Sequence, residues 1–165
     1  MKRTITVFAA LLCLVCTAIA QLPKVLLKDT SGRAVSTDTL SNDGKPFIID
    51  FFATWCKPCN RELDAIAEVY DEWKEETGVK LIIVSNDQAH NTNKVKPLVD
   101  NHGWEFDMVL LDPNYEFSKA LGNNSGAMPF TVIIDGTGKI VYRHSGYTDG
   151  AETELIEKVR ELIKQ

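Results

Sequence analysis

The chain predicts an α/β fold, a central mixed sheet flanked by helices, and three observations carry that prediction. Short, densely apolar runs alternate with segments whose apolar residues recur at helical spacing. The last third of the chain changes rhythm, to two strand-like runs joined by a tight turn and followed by an amphipathic helix. Glycine, proline and aspartate punctuate the boundaries, with no low-complexity tract or internal repeat. Strands alternating with helices and then closing on a hairpin favour parallel central strands with antiparallel additions and helices on both faces.

The first twenty residues stand apart from that fold. Lys2 and Arg3 precede an almost unbroken apolar run from Ile5 to Val15, and Ala18-Ile19-Ala20 offers small residues at a cleavage site before Gln21. The sequence therefore predicts a signal peptide over 1–20 and one domain over 21–165. A retained anchor is the alternative, against which the run is shorter than the roughly 20 residues a spanning helix needs. Lipid attachment at Cys13 or Cys16 is disfavoured because Leu12 and Val15, not small residues, precede them.

Within 21–165, Val25 to Leu27 and Ala34-Val35 flank a Thr30-Ser31-Gly32 turn, predicting an N-terminal β-hairpin. Pro46 to Ala53 reads as a central buried strand. Pro58 to Thr77 reads as a helix with Leu63, Ile66, Ala67, Tyr70 and Trp73 on one stripe and Gly78 as its stop. Val79 to Ser85 is a second buried strand. Asn91 to Asn101 contains a helix, limited or kinked by Pro97 and ended by Gly103. Phe106 to Leu111 is a third strand, and Asp112-Pro113 caps and opens a short helix ending at Gly122. Phe130 to Ile134 and Lys139 to Arg143 are strands joined by Asp135-Gly136-Thr137-Gly138. The closing helix, Ala151 to Lys164, buries Leu155, Val159 and Leu162.

Charge narrows the function. The chain carries a net charge of −5, and losing Lys2 and Arg3 with the leader makes it two units more negative. An acidic surface argues against nucleic acid and against anionic lipid. Once residues 1–20 are set aside, Cys56 and Cys59 are the cysteines that remain. A structural disulfide in an oxidising compartment normally closes a longer loop, whereas a lone, tight pair points to redox work.

The pair sits in Trp55-Cys56-Lys57-Pro58-Cys59, where the apolar strand gives way to the helix. Cys56 is expected near unpaired backbone N–H groups and the positive end of the helix macrodipole, which favour thiolate, with Lys57 adding local positive charge. Pro58 suits a first helical turn. Cys59, on the inner side of that turn, is expected to be less exposed. The chemistry implied is thiol–disulfide exchange: Cys56 attacks a substrate disulfide and Cys59 resolves the mixed disulfide. It requires no metal or organic cofactor.

The stretch Asp50-Phe51-Phe52-Ala53-Thr54-Trp55-Cys56-Lys57-Pro58-Cys59 resembles the active-site region of the thioredoxin superfamily. The leader, the hairpin, Glu62 and the extra helix–strand unit near residues 91–111 make the chain similar to the extracytoplasmic TlpA/ResA-like branch, which is related to AhpC/TSA proteins and shares the peroxiredoxin domain shape. The likeness covers residues 22–164. It implies a thioredoxin-like fold with that inserted unit, a redox-active Cys56–Cys59 disulfide in place of a cofactor, disulfide-containing protein substrates, and an upstream electron donor, in this family often a membrane carrier.

The resemblance also implies roles residue by residue. Asp50 matches the buried carboxylate that assists proton transfer at the second cysteine, and burial would raise its pKa; the plain alternative is a strand-end aspartate facing solvent. Glu62 matches an acidic residue that follows the motif, one turn from Cys59, and could tune either thiol; the alternative is a first-turn glutamate favoured by the helix dipole alone. Pro129 matches a cis-proline facing the cysteines and leaving the preceding backbone free to pair with substrate. Met128 departs from the small or β-branched residue common there and suggests a more adaptable substrate surface. Trp55, matching the tryptophan before the first cysteine, either lines an exposed groove or packs inward, and with Pro58, Met128 and Pro129 it is expected to meet the substrate.

Other signals are weaker. His90, His102 and His144 are scattered, and a zinc site needs about four ligands. Asn60 follows Cys59, so the haem-attachment pattern is absent. Gly136-Thr137-Gly138-Lys139 belongs to a hairpin rather than a phosphate loop. Asp71, Glu72, Glu75 and Glu76 read as a solvated helix face. The sequence thus predicts a periplasmic or secreted thiol–disulfide oxidoreductase. Since Lys57-Pro58 lacks the histidine of strongly oxidising family members, it is expected to act as a reductant of envelope-protein disulfides. The alternatives are a disulfide-forming oxidant, a thiol-peroxidase-like protein of the same fold, and a dithiol module that delivers Cu(I) or zinc. No oligomeric state is specified.

Overall fold

The computed structural model describes residues 21–164; the signal-peptide reading of 1–20, with Cys13 and Cys16, lies outside them. Among the described residues seven strands form one mixed sheet. They are β1 (Leu26–Asp29), β2 (Ala34–Ser36), β3 (Phe47–Phe52), β4 (Lys80–Ser85), β5 (Met108–Leu111), β6 (Phe130–Ile134) and β7 (Ile140–Ser145), in the order β2-β1-β5-β4-β3-β6-β7. The helices are α1 (Lys57–Thr77), α2 (Val95–His102), α3 (Glu116–Ala120) and α4 (Glu152–Ile163).

β3, β4 and β5 run parallel, while β6, β7 and the β1–β2 hairpin add antiparallel strands at either side. The α2–β5 unit places β5 between β4 and the hairpin, so the hairpin pairs with β5 and not with β3. β3 is central and buried along its whole length, because both of its faces are covered. Alternation then sorts its side chains. Ile48 and Phe52 pack with α1, α2 and α4, whereas Phe47, Ile49 and Phe51 pack with Phe117 and Leu121 in and just after α3. Asp50 shares the face of Ile48 and Phe52, which is the α1 face.

Several elements differ from the sequence reading, among them β1, which runs on to Asp29 rather than ending at Leu27, and β5, which starts at Met108 rather than Phe106. The helix expected within 91–101 starts as a 3-10 stretch over Ala89–Lys94 before α2. Pro97 falls in the first turn of α2, where an N–H has no intrahelical acceptor, and so neither limits nor kinks it. α3 begins at Glu116 rather than at Asp112-Pro113. Asp112 still caps it from a distance, accepting from the N–H groups of Glu116, Phe117 and Ser118 at 2.8, 3.1 and 3.0 Å. β7 runs to Ser145, past the expected end at Arg143, because pairing with β6 continues to Phe130.

At the end of the sheet away from the carboxyl end of β3, the β6–β7 turn presses on the loop before β3. A Cβ on Gly136 would lie 1.9 Å from the Gly44 carbonyl oxygen, so the two backbones must separate to admit it. Gly136→Ala is therefore expected to destabilise the fold by about 1–3 kcal/mol, read by urea unfolding, with disulfide exchange of the folded fraction unchanged.

Candidate active site

The site forms where β3 ends and α1 begins. Cys56 occupies the position just before α1, and its Sγ lies 3.3 Å from the Cys59 backbone N–H. Pro58 sits in the first turn, where its missing N–H costs nothing. Cys56 and Cys59 are joined as a disulfide with their Cα atoms 5.3 Å apart. Cys59 is fully buried and Cys56 is 5% exposed, so the attackable sulfur is the outer one, though by a small margin. Trp55 beside it is 64% exposed, which removes the inward-packing reading. Met128 is half-buried against the cluster that contains both cysteines. The Met128–Pro129 peptide is cis.

Two buried carboxyls lie on the side of the sheet where the cysteines pack. Asp50 has no exposure; it faces Thr131 across the β3–β6 pair and accepts its hydroxyl at 2.6 Å, while its Oδ1 has no hydrogen-bond partner. The solvent-facing reading of Asp50 does not hold. Glu62 is 1% exposed and its Oε2 is likewise unpartnered. It lies in the second turn of α1 and faces inward, so the reading as a surface residue favoured by the dipole alone fails: no acidic residue occupies the first turn. Burial pushes both carboxyls well above the ordinary carboxylate range. For Glu62 the nearby negative charges of Asp50 and Glu152 push in the same direction. Two such groups within each other's field cannot both ionise readily near neutral pH.

The loop between β7 and α4 closes this side. Glu152 accepts the Tyr147 hydroxyl at 2.8 Å, and Arg61 of α1 reaches Asp149 at 3.1 Å while lying over the Tyr147 ring. Burial and that bond to Glu152 push the Tyr147 phenol up to about 12.

The sequence reading missed a second set of polar residues at the ends of the parallel strands. Asp87, just beyond β4, is fully buried and accepts from the Thr54 N–H and hydroxyl, both at 2.7 Å, and from the Ser85 hydroxyl at 2.9 Å. Asn86, also fully buried, donates to the Asp112 carbonyl at 2.9 Å. The available signal was the polar run Ser85-Asn86-Asp87 closing an apolar strand beside the one that delivers the cysteines. Of the histidines, His102 pairs with Asp64 at 2.7 Å, while His90 lies in the 3-10 stretch before α2 and His144 in β7. Among the described residues no group of three or more His, Cys, Asp or Glu side chains is placed to hold a metal ion.

Residues 18–143 match the AhpC/TSA family. The chain is similar to thiol-disulfide oxidoreductase ResA of Halalkalibacterium halodurans, at 32% identity over 139 residues, covering 84% of this chain and 73% of that one. ResA of Bacillus subtilis is 29% identical over 86% of this chain and 73% of its own length. Among solved structures, an uncharacterised thioredoxin-like protein from Porphyromonas gingivalis is 57% identical, with a TM-score of 0.76 over 90% of this chain and 95% of that one.

Proposed function

The chain belongs to the AhpC/TSA family, and from that premise we propose that it is an exported reductant that keeps cysteines of extracytoplasmic proteins reduced. It has the thioredoxin-like fold and is a thiol–disulfide oxidoreductase whose substrates are disulfide-containing proteins. The observation that carries the reading is the Cys56–Cys59 pair at the head of α1, its inner cysteine fully buried, with two buried carboxyls of raised pKa on the same side of the sheet.

The exchange is balanced within the dithiol. The Cys56 thiolate, favoured by the start of α1, attacks one sulfur of the substrate disulfide, and the other leaves as a thiolate. The Cys59 thiol then loses its proton toward the Asp50–Glu62 side and attacks Cys56 Sγ. The second substrate thiolate departs, and the Cys56–Cys59 disulfide closes. Two electrons have passed to the substrate, and an upstream donor must return them before the next cycle. Trp55, Pro58 and Met128 offer the surface the substrate meets, and Pro129, itself buried, sets the cis backbone next to Met128. Export rests on the leader-like pattern of 1–20.

The reduction potential of residues 21–165, set by equilibration in graded redox buffers and thiol trapping, tests the direction. A value near about −270 mV is expected for a reductant. A value near about −120 mV would make the protein a disulfide-forming oxidant with the same residues in the same roles.

A further inference from the structure

We propose that Asp87 is a positioning residue for the redox site: its buried carboxylate clamps the Thr54–Trp55 turn to β4 and so holds Cys56 at the head of α1. The inference deepens the oxidoreductase reading and rests on it only for what the held thiol attacks.

The turn between β3 and α1 has to reverse the chain within a few residues and deliver a sulfur to one spot. Backbone bonds account for part of this. The Cys56 N–H donates to the Ala53 carbonyl at 2.9 Å, and the Asn60 N–H to the Cys56 carbonyl at 3.1 Å. Thr54 lies between those anchors, and its N–H and hydroxyl both go to the one carboxylate, at 2.7 Å each. The Asp87 N–H in turn donates to the Ser85 hydroxyl at 3.0 Å, which closes a reciprocal pair with the Ser85-to-Asp87 bond. Asn86 on the same segment gives its backbone N–H to the Phe52 carbonyl at 2.8 Å, so the end of β4 holds both the end of β3 and the turn that follows it.

A carboxylate with no solvent exposure whose partners are all neutral donors is costly to bury unless those donors are well placed. Here its acceptors are used on the segment that carries Cys56 and on its own strand end. Fold stability alone does not call for an ionisable group at this point; an accurate position for Trp55 and Cys56 does, because small misplacements of a reacting atom are expensive.

The test compares Asp87→Ala, Asp87→Asn, Thr54→Val and Thr54→Ser in the full domain of residues 21–165. The first readout is the alkylation rate of Cys56 by iodoacetamide in the reduced protein, at a temperature where circular dichroism shows each variant folded. Asp87→Ala is expected to slow it about 10-fold, as Cys56 drifts from the N–H groups of α1. Thr54→Val, which leaves one carboxylate oxygen without its donor, is expected to fall between Ala and wild type. Asp87→Asn and Thr54→Ser are expected to restore the rate to within about 3-fold, because each keeps a hydrogen-bonding group in place. The second readout is insulin reduction, expected to fall in step. An unchanged alkylation rate in folded Asp87→Ala would overturn the clamp, as would an equal loss in Asp87→Asn. Failure of the wild type to reduce insulin would count against the oxidoreductase reading alone, since alkylation still reports on the clamp.

Discussion

Cys59→Ser is expected to accumulate a covalent complex with a disulfide-containing protein such as insulin, whereas Cys56→Ser is expected to form none. In both variants turnover should drop to the background of the substrate alone. The asymmetry follows from position. Cys56 ends the turn beside exposed Trp55 and meets the first N–H groups of α1, so its sulfur is both reachable and favoured as thiolate. Cys59 has no exposure and can attack only a sulfur delivered to it, as Cys56 Sγ is in the mixed disulfide. Removing Cys59 leaves that intermediate without its intramolecular resolver. Non-reducing electrophoresis and mass spectrometry after a short incubation read the result. A complex formed by Cys56→Ser and not by Cys59→Ser would reverse the two roles.

Glu62→Gln is expected to stabilise the folded protein by about 2 kcal/mol at pH 8 and to flatten the pH dependence of its stability. A carboxyl whose folded pKa lies above its unfolded value binds its proton more tightly when folded. Such a group costs nothing well below pH 4, and stability declines as pH rises from the unfolded range near 4 toward the raised folded value, by up to about 1.4 kcal/mol per pH unit for one group. Glu62, Asp50 and Asp112 all act in this direction, each raised mainly by burial. Four other carboxyls act oppositely and lose their contribution only as pH falls through the acid range. Asp29 is held low by its Ser31 bond and Glu76 by its Arg160 bond, and Asp135 and Asp107 are held low, against the pull of burial, by their Thr137 and Tyr70 bonds. Between about pH 5 and 8 the raised set dominates. The glutamine amide keeps the shape of the side chain, cannot ionise, and no longer opposes the charge on Asp50. Urea unfolding at pH 5 and pH 8 checks this: the wild type should be less stable at pH 8, and the difference should shrink in Glu62→Gln. An unchanged slope would mean that Glu62 ionises outside its buried position. Slower resolution by Cys59 in the same variant would add that the carboxyl serves proton transfer as well.

Periodicity located the elements that a single segment specifies by itself. β3, α1, β6 and α4 came out within a residue or two of their expected bounds, because a strand buried on both faces and a long amphipathic helix each write a pattern too regular to mistake. The weaker boundaries were those governed from elsewhere. α3 starts late because Asp112 caps it through an intervening turn, and α2 tolerates Pro97 because its true start falls two residues before it. The burial of Asp50 and Glu62 was one of two open readings for each. Only the packing of β6, α1 and α4 over β3 shows that both carboxyls point inward and feel one another.

The chain by itself determined the chemistry: two thiols two residues apart, at a strand-to-helix junction, in a sequence whose other cysteines lie in the leader-like segment. That much is local, since helix geometry alone brings Cys56 and Cys59 together. The tertiary structure alone decided what surrounds them. Asp87 comes from a neighbouring strand 33 residues away to hold Thr54, and Thr131 reaches Asp50 across 81 residues. The reason is physical: a reactive pair can be written in five consecutive residues, but the solvation, charge and rigidity that tune it come from groups that only the closed sheet makes neighbours.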